Sequence, residues 1–303
     1  MTEPLKIDYV FPYVNCEDPA WQKQAATYFS KTNLDPVRFR DLGFLKYVMR
    51  GLVENERWLN SVIILVSSYS QIPSWMNTDG TNLRVVTHAE FMSPKHLPTF
   101  NSNAIEMFLA DIPGLSEYVI YGNDDFIPLA PTVPGDYFTG DGVPRISYNK
   151  KTDVSTPFRK LCKRCWNVID SKIPSARIDN LACYYRQAHE PQPITLAQLK
   201  AAQKFLYNDI QKSITRIRDN SKNLSQYIYF NYVIATDQCE KRSHYSAFRE
   251  LNLVYEEKNI KIIDSQSSKW VCLNDTERTS LSSIEKIVDA LERRYPNKCV
   301  YEK

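Results

Sequence analysis

Two adjacent carboxylates, Asp124 and Asp125, follow a short apolar run at residues 118–121. The run is typical of a buried strand, so paired charge is expected where this strand leaves the core. In open α/β sheets, ligands bind beyond the carboxyl ends of the strands, and paired aspartates there suit a hard divalent cation that bridges phosphate oxygens. The alternative is a solvated turn in which Asn123 caps the chain, and the local sequence favours neither interpretation.

The chain before this pair alternates between predicted strands and predicted helices. Strands are expected at residues 7–13, 62–66, 83–87 and 118–121, with Pro12 an awkward residue inside the first. Pro19 and Asn101 or Ser102 mark the starts of two helices, and an apolar stripe predicts another over residues 39–55. This alternation predicts an α/β sheet flanked by helices.

A Pro/Gly-rich stretch at residues 131–144 predicts a boundary after this α/β core. We therefore expect a core at residues 1–140, a mainly helical second lobe at 141–260, and a C-terminal segment at 261–303 that returns to the core. Thr195 with Gln198, and Ser282 with Glu285, have the spacing of capping boxes that begin helices. Residues 261–264 and 269–273 are predicted to be short strands.

Composition excludes several classes of protein. Of the 303 residues, 43% are hydrophobic and 24% charged, as in ordinary globular proteins. No apolar run has membrane length, and the N-terminus is polar, so a cytoplasmic location is expected. The net charge of +3 argues against a general nucleic-acid binder. However, residues 150–186 hold nine Lys/Arg against three Asp, which could face anionic substrate or acidic lipid or could be a solvated surface.

The seven cysteines are an odd number scattered along the chain, which indicates reduced thiols rather than a disulfide framework. Cys162 and Cys165 form a lone C-x-x-C. No second pair or suitably spaced histidine completes a zinc site around them. We expect these two cysteines to be structural.

Four groups of residues resemble, in order, the four conserved regions of the Stealth family. The first two regions are matched by Asp8-Tyr-Val, Tyr13-Val-Asn-x-x-Asp18-Pro-x-Trp21, Arg38-Phe-Arg-Asp41, Leu97-Pro-Thr-Phe-Asn-Ser102 and Asn123-Asp-Asp125. The last two are matched by His189-Glu-Pro191, Arg216-Ile-Arg218, Val271-Cys-Leu-Asn-Asp275, Tyr295-Pro296 and Tyr301-Glu302-Lys303. Together the four groups are a specific signal that covers nearly the whole chain.

The resemblance implies a GT-A-like nucleotide-sugar-binding sheet and a sugar-phosphate transferase. Such enzymes move hexose 1-phosphate from a nucleotide-sugar, here most simply a UDP-sugar, to a glycan hydroxyl, and they release a nucleoside monophosphate. The absence of membrane segments and accessory domains is similar to the bacterial members, which build capsular or other surface polysaccharide. The implied partners are a nucleotide-sugar donor and a glycan acceptor, with peripheral contact to the inner membrane or to an assembly complex left open.

The resemblance also assigns roles to residues of this chain. Asp124, Asp125 and Asp275 are expected to hold Mg²⁺ or Mn²⁺, because hard oxygen ligands match those ions. His189 is expected to be the general base, and Arg218, with Arg216, to clamp the phosphoryl group. Asp8 and Asp18 are candidates for the same site or for ribose and acceptor contacts. The expected substrate-binding residues are Tyr13, Asn15, Arg38, Arg40, Asn101, Asn123 and Asn274.

Two alternatives stay open. A metal-dependent GT-A glycosyltransferase would also use paired aspartates, but its acceptor attacks the anomeric carbon and the nucleoside diphosphate leaves. A non-catalytic glycan-binding module is indicated only by the 12% of aromatic residues, which can stack on sugars. The identity of the phosphorus-containing product separates the two enzymatic alternatives.

Overall fold

The computed structural model describes residues 5–29, 37, 39–173 and 183–303. Its strands are β1 (Ile7–Pro12), β2 (Ser61–Val66), β3 (Leu83–Thr87), β4 (Tyr118–Tyr121), β5 (Phe126–Pro128), β6 (Arg145–Ile146), β7 (Tyr148–Lys151), β8 (Tyr184–Gln187), β9 (Gln192–Thr195), β10 (Glu240–Lys241), β11 (Ser246–Glu250) and β12 (Trp270–Asn274). Its α-helices are α1 (Pro19–Ala25), α2 (Leu45–Asn55), α3 (His88–Phe91), α4 (Ser102–Glu106), α5 (Pro134–Tyr137), α6 (Pro157–Lys172), α7 (Leu196–Phe205), α8 (Tyr207–Ser213), α9 (Tyr227–Ala235), α10 (Glu256–Ser265) and α11 (Leu281–Arg294).

The main sheet has five strands in the order β3-β2-β1-β4-β9. Strands β3, β2, β1 and β4 are parallel, and β9 pairs antiparallel with β4. The pairing of Val10 with Tyr121 and of Pro12 with Leu65 aligns the carboxyl ends of the parallel strands along one edge of the sheet. We call this the carboxyl edge, and the edge where these strands begin the amino edge.

Both faces of the main sheet are covered. Along β1, Tyr9 and Phe11 point into a core that includes α2, α11 and β12, whereas Val10 points into a second core that includes α6, α7 and α9. This alternation is the two-residue period of a strand. Because each face has its own apolar partners, β1 and β2 are almost continuously apolar rather than alternating with polar residues.

A smaller sheet lies beside the carboxyl edge. In this sheet β12 pairs in parallel with β11 and antiparallel with β5, which directly follows the Asn123–Asp125 turn. The chain end is fixed against α2, where the buried Arg50 contacts Glu302 at 2.7 Å. Residues from the end of the chain thus pack on the first half of the fold.

The predicted α/β sheet flanked by helices is confirmed, as are its first four strands and the helix starts at Pro19, Asn101 and Thr195. The division of the chain near residues 140 and 260 stays a prediction. None of the described helices is long and apolar enough to cross a lipid bilayer.

Three predicted elements were wrong in type or boundary. Residues 261–264 lie in helix α10, because the local run of isoleucines that favours a strand places Ile263 in the core against the neighbouring helix α11. Helix α2 begins at Leu45, six residues after the predicted start, and Gly43 with φ of 73° precedes it. Helix α11 is capped by Ser280 rather than Ser282.

Candidate active site

A cavity of about 650 Å³ opens at the carboxyl edge of the main sheet. Its wall includes the turn after β4, the loop after β1, the first residue of α3, the loop before β9 and the end of β12. In the sheet, β1 lies between β2 and β4. The chain continues from β1 to β2 and β3 on one side, and it then crosses to β4 on the other side. The cavity therefore lies at a topological switch point, which is where open α/β sheets bind ligands.

The turn after β4 depends on Gly122. A Cβ atom at this position would lie 2.0 Å from the hydroxyl oxygen of Tyr9, so a side chain cannot be accommodated without moving that ring. The amide of Phe126 donates to the carbonyl of Asn123 at 3.2 Å and closes the turn. As a result, Asp124 and Asp125 leave the sheet directly into the cavity wall.

Few protein groups are placed to compensate the charge that these two carboxyl groups carry when they are ionised. Oδ2 of Asp125 accepts from Sγ of Cys272 at 3.3 Å, whereas Oδ1 is enclosed without a partner among the described residues. Burial raises the pKa of Asp125 to about 6. Burial, with the nearby charges of Asp125 and Asp41, raises the pKa of Asp124 to about 8. A cation in the cavity would favour the ionised forms of both.

Asp125, His189 and Cys272 each offer one ligand atom, and these atoms lie within 4.8 Å of one another. The orphaned oxygen of Asp125 fits a bound cation, as does the excess of acid in the cavity wall, where five carboxylates accompany two arginines. Burial raises the pKa of the Cys272 thiol, which favours its protonated, weakly ligating form. The donor set therefore fits a divalent cation held mainly by carboxylate oxygen.

His189 lies in an aromatic enclosure. Its ring centroid is 5.0 Å from that of Phe126, 6.1 Å from Phe158 and 5.2 Å from Phe248. Its Nδ1 lies 3.4 Å from the hydroxyl oxygen of Tyr227. Burial and the charge of Arg186 lower the pKa of His189 to about 4, so at neutral pH the imidazole is neutral and able to accept a proton.

The two predicted arginines lie in different settings. Arg218 lines the cavity, and its guanidinium donates to the hydroxyl of Ser102. Arg216 lies outside the wall: it donates to the carbonyls of Leu97 at 3.1 Å and Lys95 at 3.3 Å. Arg216 thereby fixes the loop before α4, and only Arg218 is placed to contact a ligand in the cavity.

Asp275, the third predicted metal ligand, has a different partner in this structure. Arg40 donates to its two carboxylate oxygens at 2.9 and 2.6 Å. Both residues line the cavity. The pair holds the end of β12 against the loop that precedes α2, so Asp275 can bind a cation only by releasing Arg40.

Four of the predicted substrate-binding residues, Tyr13, Asn101, Asn123 and Asn274, line the cavity with Arg40. The hydroxyl of Tyr13 donates to Asp41 at 2.8 Å. The amide of Asn101 donates to the carbonyl of Thr215 at 3.0 Å, and its oxygen accepts from the amide of Asn103. The hydrogen bonds of the Asn101 side chain therefore connect α4 to the loop that carries Arg218.

Three other predicted residues do not line the cavity. Asp8 lies at the amino edge, where it accepts from the side chain of Asn60 and the amide of Ser116, each at 2.8 Å. Asp18 caps α1 and accepts from Gln71 and Ser70, each at 2.7 Å. The backbone of Asn15 is bound by Gln71. Arg38 lies outside the described residues.

Several residues of the wall were missed by sequence reasoning. Asp41 stands in the Arg38-Phe-Arg-Asp41 motif but received no role, and Cys272 was read only as part of a strand. Glu106 is buried on the wall, bonded to the amide of Gln226 at 2.8 Å, and burial raises its pKa to about 7. Glu106 lies inside the short helix α4, and no local pattern distinguishes it from an ordinary helix acid.

Comparison with known proteins shows what part of this chain is similar to. Residues 38–146 match the model described as Stealth protein CR2, conserved region 2. The exopolysaccharide phosphotransferase cps2G of Lactiplantibacillus plantarum is 39% identical over 48% of this chain and 42% of its own length. The receptor polysaccharide phosphotransferase WefC of Streptococcus oralis is 37% identical over 51% of this chain and 47% of its own. These alignments thus span less than half of either relative.

Another alignment, at lower sequence identity, covers nearly the whole chain. The capsular polysaccharide phosphotransferase WcwK of Streptococcus pneumoniae is 25% identical over 98% of this chain and 99% of its own. Among solved structures, the galactosyltransferase LgtC superposes over 94% of this chain and 95% of its own, with a TM-score of 0.47 and 9% identity.

Proposed function

We propose that this chain, whose residues 38–146 match the Stealth CR2 model, is a Stealth-type enzyme that transfers hexose 1-phosphate from a nucleotide-sugar to a hydroxyl group of a glycan, in the synthesis of a surface polysaccharide. The observation that carries the proposal is the group of Asp124, Asp125 and His189 in one cavity at the switch point of the sheet. The printed names of the relatives, which are polysaccharide phosphotransferases, support the same reaction class.

The acid in the cavity makes a cation part of the proposal. A nucleotide-sugar carries a negatively charged diphosphate, which the ionised carboxylates among the five acids of the wall would repel if only Arg40 and Arg218 opposed them. We assign Asp124 and Asp125 as the residues that would hold Mg²⁺ or Mn²⁺. Such a cation, when bound, supplies neutralisation of charge on the phosphate oxygens.

The transfer itself needs a base for the acceptor. An acceptor hydroxyl attacks the phosphorus nearest the sugar, the bridging P–O bond breaks, and the nucleoside monophosphate leaves with the electron pair. We assign His189 to receive the proton of the attacking hydroxyl, because its neutral imidazole lies in the same wall as Asp125.

Arg218 is assigned to the phosphoryl oxygens. Its guanidinium lies on the cavity wall near Glu106, whose pKa it lowers, and it donates to Ser102. A planar guanidinium can give parallel hydrogen bonds to two phosphate oxygens. The bond to Ser102 orients this side chain before the substrate binds.

Product analysis tests the proposal. The purified protein is incubated with a panel of UDP-sugars and other nucleotide-sugars, a divalent cation and glycan acceptors, and the nucleotide products are separated. We expect a nucleoside monophosphate in a one-to-one ratio with a product that shows a phosphodiester signal in the phosphorus NMR spectrum. Stoichiometric nucleoside diphosphate with a phosphorus-free product would assign the glycosyltransferase reaction instead.

A further inference from the structure

Three residues follow the three parallel strands that lie on the side of the cavity away from Asp124. Tyr13 follows β1, Ser67 follows β2 and His88 follows β3, and all three line the cavity. The amide of Tyr13 donates to the carbonyl of Leu65 at 2.9 Å. Val66 pairs with Thr87, so Ser67 and His88 continue neighbouring strands. These residues form a row across the carboxyl edge.

In His88, one ring nitrogen of the imidazole makes no hydrogen bond to the described residues. The residue is only 5% exposed, and Nε2 is enclosed without a hydrogen-bond partner among the described residues. Burial lowers the pKa of His88 to about 4, so at neutral pH the ring offers one donor and one acceptor nitrogen. An enclosed polar group without a partner costs stability, which a ligand with a complementary polar edge would recover.

Gln71, another polar residue of the cavity wall, makes its hydrogen bonds within the protein. Gln71 donates to Asp18 at 2.7 Å and to the carbonyl of Asn15 at 3.1 Å, and its oxygen accepts from the amide of Asn15 at 2.7 Å. The hydroxyl of Ser67, by contrast, makes no hydrogen bond to another described residue. The row therefore places the side chains of His88 and Ser67 on the wall at this end of the cavity.

The distance between the two ends of the cavity matches an extended ligand. Strand β3 is three strands away from β4 in the sheet, so His88 and Asp124 are separated by roughly 14 Å at the usual strand spacing. A nucleoside diphosphate whose phosphates lie at Asp124 and Asp125 can reach His88 with its base. The ribose then lies over the loop that follows β1.

From this row we infer that His88 recognises the nucleobase of the donor and selects among bases through its neutral imidazole. The inference rests on the proposed function, since it takes the cavity ligand to be a nucleotide-sugar. The Nε2 nitrogen of a neutral imidazole can make one hydrogen bond to a polar atom on the edge of a base. Ser67 supplies an adjacent hydroxyl.

Calorimetric titration with nucleotides in the presence of Mg²⁺ tests this assignment. The probes are UMP, CMP, AMP, GMP and ribose 5-phosphate, which lacks a base. We compare the wild-type protein with His88→Phe and with His88→Leu, a smaller replacement that also lacks hydrogen-bonding groups. His96→Phe is the matched control, because the Nε2 of His96 is also enclosed without a partner among the described residues but His96 does not line the cavity.

In the wild-type protein and in His96→Phe, one nucleoside monophosphate should bind at least about tenfold more tightly than the others. Both His88 variants should lose about tenfold for that nucleotide, as expected for one hydrogen bond to a buried partner, and should bind ribose 5-phosphate as before. Their thermal midpoints should not fall, because an unpaired polar group has been removed.

Three results would contradict the assignment. A base preference that survives in both His88 variants, or a wild-type protein that binds all four nucleotides equally, overturns the role of His88 alone. An equal loss of ribose 5-phosphate affinity would reduce His88 to a structural residue. A wild-type protein that binds none of the nucleotides overturns the proposed function together with this inference.

Discussion

Asp8, at the amino edge of the four parallel strands, and Asp125, at their carboxyl edge, differ in how fully their carboxylate oxygens are hydrogen-bonded. At the amino edge, both carboxylate oxygens of Asp8 have strong partners, the side chain of Asn60 and the amide of Ser116. At the carboxyl edge, Asp125 has only a weak thiol donor on one oxygen and no partner among the described residues on the other. Both residues were predicted to take part in the site.

The contrast shows how buried charge distinguishes a stabilising role from a binding role. A carboxylate whose hydrogen bonds are all satisfied by its own chain stabilises the fold and has no capacity left for a ligand. A carboxylate whose neighbours include another carboxylate, and whose oxygen is orphaned, destabilises the free protein. A bound cation would recover that cost, which is why we propose that the carboxyl edge serves a ligand and the amino edge serves the fold.

The sharpest test of the contrast replaces Asp125 by Asn. Asp125→Asn should lower turnover by on the order of 10³-fold, because the charge that holds the cation against the diphosphate is lost. Its thermal midpoint should be unchanged or higher, since an unpaired buried charge has been removed. Turnover and thermal melts are measured beside Asp8→Asn as the control. Wild-type turnover in Asp125→Asn would remove this residue from the site.

His189→Gln should lower turnover by about 10²-fold while the affinity for the nucleotide-sugar is preserved. The glutamine keeps the size and polarity of the side chain but cannot accept the acceptor's proton at neutral pH. Single-turnover rates and calorimetric donor titrations separate the two effects, with the exposed His244→Gln as the control. A variant that loses donor affinity in proportion to rate would instead make His189 a binding residue or a metal ligand.

The stability of the metal-free protein should fall as pH rises between about 7 and 8. The folded protein keeps a proton on Asp124, with a pKa of about 8, whereas the unfolded chain has already released it. Histidines are mostly neutral in both states in this window, so they do not reverse the sign. Asp124→Asn should lessen the fall without abolishing it, because the buried Glu56 and Glu106, with pKa values raised to about 8 and about 7, lose protons in the same window. Thr195→Ala should leave the fall unchanged. A slope unchanged in Asp124→Asn would show that other groups carry it.

Adding a divalent cation extends the same measurement. Because the cation binds the ionised carboxylates, it should raise the thermal midpoint more at pH 8 than at pH 6.5. Asp125→Asn should abolish this difference. An equal rise at both pH values, or in the variant, would place the cation elsewhere.

At the amino edge, Asp8→Ala should lower the free energy of unfolding by about 1–3 kcal/mol, because the amide of Ser116 and the side chain of Asn60 lose their acceptor in a largely buried position. Turnover per folded molecule should stay at the wild-type value. Urea unfolding and kinetics measured on the same preparation check both statements. A large loss of turnover without loss of stability would return Asp8 to the list of site residues.

The smallest effect is expected for Thr195→Ala, also at the amino edge. Thr195 accepts from the amide of Gln198 at 3.1 Å and caps α7, so its loss should cost about 1 kcal/mol of stability. Thr195→Ser should restore the cap and the stability. An unchanged unfolding free energy in Thr195→Ala would mean that this end of α7 is held by packing alone.

Local sequence patterns were sufficient to predict several strands and helix starts. The apolar runs at residues 62–66 and 118–121 became buried strands, and Asn101 and Thr195 became helix caps, because strand burial and capping depend on a few neighbouring residues. The motif that ends in Asp124 and Asp125 also indicated the right edge of the sheet, since a charged pair after a buried strand has few other places to lie.

Which polar residues have hydrogen-bonding groups left for a ligand can be seen only in the tertiary structure. Nothing near Asp8 in the sequence shows that Asn60 and Ser116 satisfy it, and nothing near His88 shows that its imidazole is enclosed on the cavity wall without a partner among the described residues. The same is true of Cys272 beside Asp125, whose positions are 147 residues apart. Hydrogen-bond partners and burial are set by contacts between distant segments, and a local pattern carries no record of them.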